Sequence, residues 1–236
     1  LTFYSMNINS QDRVLIIAAH PDDEILGCGG FLSKYAGEVE FSIIFIAEGD
    51  SCRFEDPELT PLILKTINHR EECAKKALNQ FNITDINFNR LPCGRLDKVN
   101  IIDINKIIEK KILSFKPSII LSHYSHDTNN DHRIVSRSVE MSTRPLNVFD
   151  INTFSFEILS STEWSLQNPF KPNTFVQLSE HDVNNKINAL KIYDGEIRDF
   201  PHSRSEGGIK SLSHYRGMQV GMKYAEAFYA NRIYIQ

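Results

Sequence analysis

Val14-Leu15-Ile16-Ile17-Ala18-Ala19-His20-Pro21-Asp22-Asp23-Glu24 is the stretch from which the rest of the chain can be read. Its first six residues are apolar without alternation, the pattern of a strand covered on both faces at the centre of a parallel sheet. Pro21 lacks the amide donor that a ladder needs, so the strand stops there. A histidine and three carboxylates follow where this core strand surfaces. Such a cluster is costly to bury unless a positive charge sits among it, and a divalent cation is the simplest candidate.

Working outward, residues 25–35 read as a helix whose acidic start, Asp22 to Glu24, suits the positive end of its dipole. Gly27-Cys28-Gly29-Gly30 lacks the G-x-G-x-x-G spacing of a dinucleotide fingerprint and reads as small residues that let the helix approach the sheet. Residues 39–47 form a second strand that runs into the loop Glu48-Gly49-Asp50-Ser51-Cys52-Arg53. A long helix over 61–80, a weaker strand over 83–91 and a helix over 101–115 come next. Pro117 resets the chain, and 118–123 is a fourth strand running into Tyr124 to Arg133. Residues 134–141 read as a helix, 153–159 and 174–178 as strands, 182–194 as a helix, and 207–228 as holding the last helix.

Strands alternating with helices predict an α/β fold. The expected form is Rossmann-like: a mostly parallel sheet with helices on both faces, order 3-2-1-4-5 at its core, and extra C-terminal strands and helices. In that order strands one and four are neighbours, and ligands bind in the crevice at their carboxyl ends. The His/Asp-rich loops at 20–24 and 124–133 follow those two strands, so the topology brings together segments more than a hundred residues apart.

This juxtaposition suggests one divalent ion on His20, Asp23 and His132. Two imidazoles and a carboxylate, with a position left for water, form a catalytic rather than a structural zinc pattern. Asp22 and Asp23 are adjacent, so their side chains diverge: one can ligate while the other acts as general base. Spacing alone leaves open which does which. Asp131 can orient a ligand ring or cap the following helix. His123 reads as strand-end packing and His126 as a hydrogen-bonded loop residue. His202 is the candidate for a histidine reaching in from the C-terminal part. Arg53, Arg70 and Arg204 carry guanidinium forks suited to phosphate or sugar hydroxyls, and Trp164, the one tryptophan, can stack on a sugar.

The bulk properties narrow the classes. The 236 residues show no composition break, linker or repeat, so one domain over 6–236 is expected, with residues 1–5 an expression remnant or a trimmed end. A net charge of -4 argues against nucleic acid or an anionic membrane surface as the main partner. Cys28, Cys52, Cys73 and Cys93 are scattered without a C-x-x-C pair, as in reduced thiols of a cytoplasmic protein. No run approaches the roughly 20 apolar residues that span a bilayer, and no signal peptide is visible. The expected partner is a small molecule, and the C-terminal helix offers a surface for self-association into a homo-oligomer.

His20-Pro21-Asp22-Asp23-Glu24, followed by Asp127-Thr128-Asn129-Asn130-Asp131-His132-Arg133, resembles the PIG-L (LmbE-like) family of zinc-dependent N-acetyl-sugar deacetylases. Arg70-Glu71-Glu72 is similar to the family's arginine-acid helix start. Ser161-Thr162-Glu163-Trp164, Pro201 to Ser205, Tyr215-Arg216-Gly217 and Ala225 to Phe228 resemble a bacterial branch that modifies sugars for surface polysaccharide. The resemblance extends over nearly the whole chain. It implies Zn2+ on His20, Asp23 and His132, with Asp22 as the base. It also implies an N-acetylated amino sugar, such as N-acetylglucosamine or a conjugate, as substrate. Many members carry a histidine three residues before the second-motif ligand, where it helps the tetrahedral intermediate. Here that position is Asn129, which can donate a hydrogen bond but carries no proton to transfer, so the acid and oxyanion roles stay open.

Three rivals stand beside this expectation. A two-histidine, one-carboxylate iron oxygenase shares the ligand types, but its usual all-β jelly roll conflicts with the alternating pattern. A catalytically weak sugar- or nucleotide-sugar-binding module of the same fold has Asn129 as its support. Phosphoester hydrolysis commonly uses two metals, and the motifs supply ligands for one.

Overall fold

The structure is a computed structural model that describes residues 6, 8–56, 58–145 and 150–234. Residues 1–5, expected to be a remnant or trimmed end, lie outside the described residues.

Arg13–Ala18 forms β1 and is flanked by Glu40–Ala47 (β2) and Ile119–His123 (β4), both parallel to it. With Ile86–Leu91 (β3), Asn152–Phe156 (β5), Thr174–Leu178 (β6) and Tyr224–Arg232 (β7), the sheet has seven strands in the order β3-β2-β1-β4-β5-β7-β6. The expected 3-2-1-4-5 core is present and parallel. β7 is antiparallel to both β5 and β6.

Alternate residues of β1 feed two separate cores, as strand geometry requires. Val14, Ile16 and Ala18 pack on one face with Asp23–Tyr35 (α1), Pro61–Asn79 (α2), Glu180–Leu190 (α5) and Glu206–Met218 (α6). Leu15, Ile17 and Ala19 pack on the other with Ile101–Phe115 (α3) and Asn130–Ser142 (α4). The small residues of α1 do let it approach the sheet: a Cβ on Gly27 would meet the Phe156 ring at 2.4 Å, and one on Gly30 would meet Leu178 at 2.4 Å.

The span 207–228 holds the last helix, as expected, but α6 ends at Met218, Gly221 turns at φ +74°, and the chain returns as β7. Ala225 to Phe228 favour a helix by composition, but burial between β5 and β6 imposes a strand. One expectation needs correction: Arg70 does not start a helix but lies in the middle of α2. The start of α2 is capped by Thr60, whose side chain accepts from the Ile63 amide.

Candidate metal centre and active site

β1 and β4 end side by side, and their loops converge. The Asp23 Oδ2 atom lies 3.3 Å from His20 Nδ1, 3.3 Å from His132 Nε2 and 3.5 Å from His123 Nε2. Each of these side chains is buried. Asp23 opens α1, and its Oδ2 also accepts from the His20 amide at 2.8 Å, which folds the turn back on itself. His132 enters from the first turn of α4, where Asn129 caps the helix by accepting from the Asp131 amide at 2.9 Å.

Other groups orient the rings. Asp131 Oδ2 lies 2.9 Å from His20 Nε2 and accepts from the Gly94 amide, while its Oδ1 accepts from the Leu96 amide. Nδ1 of His20 therefore faces Asp23. His132 Nδ1 lies 3.3 Å from Asp127 Oδ1, and Asp127 is held by Ser161 and Thr162. His123 stacks on His132 at 4.0 Å between ring centroids, and its Nε2 accepts from the Ala19 amide. It is thus the buried strand-end group expected of it, and it supports the His132 ring.

The donor set fits a divalent cation. One atom each from His20, Asp23 and His132 lies within 4.8 Å of the others. Separations of 3.3 Å match the ~3.4 Å between ligand atoms of a tetrahedral site with bonds of about 2.1 Å. Burial opposes charge on His20 and His132, yet Asp131 and Asp23 raise the first to about 10, and Asp23 and Asp127 raise the second to about 9. Burial likewise opposes charge on Asp23, and the neighbouring imidazoles hold it well below 3.8. The carboxylates thus call for two positive charges, which two protons or one divalent ion can supply.

Asp22 faces the other way. Its backbone sits at φ 120°, a strained conformation for a non-glycine residue, and its amide donates to Glu24 Oε2 at 2.9 Å. Asp22 Oδ2 lies 2.9 Å from Arg70 Nη2 and 3.0 Å from Arg204 Nη1. Arg70 also donates to the Pro21 carbonyl. Burial raises the Asp22 carboxyl to about 6 even though both arginines pull it down. Burial also pushes Glu24 up to about 8, with the Tyr193 hydroxyl donating to it.

Glu196, which no sequence motif announced, joins the arginines. It accepts from Arg53 at 2.5 Å, Arg70 at 2.7 Å and Arg204 at 2.6 Å. Burial opposes its charge, and Arg70 and Arg53 lower its pKa to about 2. Arg70 and Arg204 are therefore committed to Asp22 and Glu196 rather than held open for a ligand. Arg53 is half exposed and lines, with Asp50, Lys65, His69 and Arg70, a cavity of about 400 Å³.

His202 and Trp164 are not drawn into the histidine cluster. His202 is exposed, and its Nδ1 accepts from the Arg204 amide, shaping the turn that delivers Arg204. Trp164 is 65% exposed, so core packing does not explain it. It follows Ser161 and Thr162, the residues that hold Asp127.

Residues 15–142, more than half of the chain, match the PIG-L family, described as GlcNAc-PI de-N-acetylase, and the chain belongs to that family. Similar solved structures include the N,N'-diacetylchitobiose deacetylase from Pyrococcus horikoshii, at 16% identity and TM-score 0.70, covering 92% of this chain and 82% of that one. A deacetylase of teicoplanin biosynthesis matches at 14% identity and TM-score 0.71, covering 92% and 96%. The 4-carboxy-2-hydroxymuconate hydratase GalB from Pseudomonas putida matches at 17% identity and TM-score 0.75, covering 96% and 98%. At these identities the likeness establishes the fold, which serves deacetylases and a hydratase alike.

Proposed function

We propose that the chain is a metal-dependent hydrolase that removes the acetyl group from an N-acetylated amino sugar or its conjugate. The observation that carries this is the division of labour at one peptide bond. Asp23 is fixed among imidazoles as a permanent anion, and Asp22, held apart by Arg70 and Arg204, titrates at about 6.

His20, Asp23 and His132 would hold the ion, with Asp131 and Asp127 orienting the two rings. A divalent metal held there, zinc by ligand type, would supply Lewis acidity and activate water near neutral pH. Asp22 is ionised at neutral pH yet weakly acidic enough to give a proton back. It takes the proton of the attacking water and returns it to the leaving amine. Arg70 and Arg204 fix the orientation of its carboxylate. Asn129 spends its side-chain oxygen on the helix cap, so its amide nitrogen is the end that can donate to a developing oxyanion. The exposure of Arg53 and Trp164 supports assigning them to the sugar or its phosphate in this reading, although Arg53 also donates to Glu196. No helix among the described residues is long and apolar enough to cross a membrane.

The test is acetate release by zinc-loaded protein across N-acetylhexosamines and their nucleotide-diphosphate forms. Acetate and a free amine from at least one of them are expected. Binding without acetate release at any metal loading would leave a sugar-binding module. Water addition to an unsaturated carboxylate, with no amide cleaved, would move the chain toward the hydratase that shares its fold.

A further inference from the structure

Cys52 and Cys93 are separated by 41 positions in sequence, and their sulfurs lie 3.0 Å apart. Sequence spacing hides this pair; the topology makes it, because each cysteine follows the end of one of two neighbouring strands, β2 and β3. A single buried carboxylate sets the position of both loops. Glu48 Oε2 accepts from the amides of Asp50 and Ser51 at 2.7 and 2.9 Å, and its Oε1 accepts from the Cys93 amide at 2.8 Å and from the Ser51 hydroxyl. The Glu48 amide in turn donates to the Leu91 carbonyl. The loops press together at the pair, since a Cβ on Gly94 would meet the Cys52 Cβ at 3.0 Å.

The two thiols differ in access. Cys52 is exposed, while Cys93 is buried with its sulfur within 4.8 Å of ligand atoms of His20 and Asp131. An exposed thiol beside a buried one matches the attacking and resolving roles of a thiol pair that responds to oxidants.

We propose that Cys52 and Cys93 are a reversible disulfide site that staples the loop after β2 to the loop after β3, with a low-molecular-weight disulfide of the glutathione class as oxidant. The Cys52 thiolate attacks one sulfur of the oxidant and expels the first glutathione thiolate. The Cys93 thiolate then attacks Cys52 sulfur in the mixed disulfide and expels the second. The protein loses two electrons and two protons, and the oxidant becomes two thiols. Because Glu48 already holds both loops, closure needs no rearrangement of the backbone hydrogen bonds described above. The bridge would lock the Gly94 amide, which donates to Asp131, and so sits one hydrogen bond away from the support of His20.

The test treats the folded full-length chain with glutathione disulfide and reads intact mass, a peptide map and the melting temperature. The expected product has lost two hydrogens, contains a Cys52–Cys93 cross-linked peptide, reverts with dithiothreitol, and melts about 8 °C higher. Cys93→Ser should instead retain one glutathionyl group on Cys52. A stable glutathionyl adduct on Cys52 in the unaltered chain, a cross-link through Cys28 or Cys73, or full alkylation of both cysteines after oxidant would each overturn the proposal. The measurement on the unaltered chain decides the matter even if the variant fails to fold. None of these readouts involves hydrolysis, so the result is independent of the proposed activity.

Discussion

Asp22 and Asp23 are joined by one peptide bond and belong to two different electrostatic regions. Asp23 looks toward three histidines, which hold it well below the usual carboxylate range against the cost of burial. Asp22 looks toward two arginines, yet burial leaves it at about 6. The positive φ of Asp22 turns the two side chains apart. The contrast shows how neighbouring residues of one type acquire separate jobs: a fixed anion can anchor an ion, and a group poised near neutrality can carry a proton.

Changes on the histidine side should have the largest effect. If Asp23 and His132 are ligands as proposed, Asp23→Ala or His132→Ala leaves the remaining charges unbalanced, so metal content by emission spectrometry should fall to background and acetate release with it. Asp22→Asn should keep the metal while lowering kcat at least a hundredfold. Equal loss of metal in both variants would erase the distinction between the two regions.

Metal binding should also release protons. Without the ion, His20 and His132 are raised to about 10 and 9, so both carry protons at pH 7 and must lose them to ligate. Binding near neutrality should therefore release close to two protons per ion, and affinity should fall as pH falls. Calorimetry in buffers of different ionisation enthalpy reads this directly. Binding with no proton release would contradict the assigned ligands.

On the arginine side, Arg70→Met strands Asp22 and Glu196 as buried carboxylates with one partner fewer. It should cost about 3 kcal/mol of stability by denaturant titration. Arg204→Met is milder: with one positive neighbour gone, the Asp22 pKa rises further above 6, and the acid limb of the kcat profile moves to higher pH. A limb that stays in place would separate Asp22 from that titration. The smallest effect on stability is expected from Asn129→Asp, which keeps the helix cap but loses the donor nitrogen and so should lower kcat, whereas Asn129→Ala should lose about 1 kcal/mol of stability.

The histidine side was far more legible in sequence than the arginine side. His20, Asp23 and His132 lie in the loops and helix starts that follow two strands whose apolar runs are unmistakable, and the strand order brings those segments together. Sequence offers Asp131 as a group that orients a ligand ring without saying which, and the ring it faces is that of His20, a hundred and eleven positions away. Glu196 lies in a turn beside Gly195, at φ +74°, and carries no local motif. Its meeting with Arg53, Arg70 and Arg204 depends on four separate segments packing together. α4 starts at Asn130, four positions earlier than expected, because Asn129 caps a polar first turn that reads as loop. β7 was hidden for the opposite reason: its Ala-Glu-Ala core favours a helix until Glu226 is buried against Lys186 at 2.6 Å and accepts from the Gly30 and Phe31 amides.

Cobalt(II) titration of metal-free protein tests the division between the two aspartates most directly, because the visible spectrum reports both stoichiometry and ligand field. One cobalt per chain is expected, with a spectrum nearly unchanged in Asp22→Asn and absent in Asp23→Asn. A spectrum lost in both variants, or kept in both, would contradict the account.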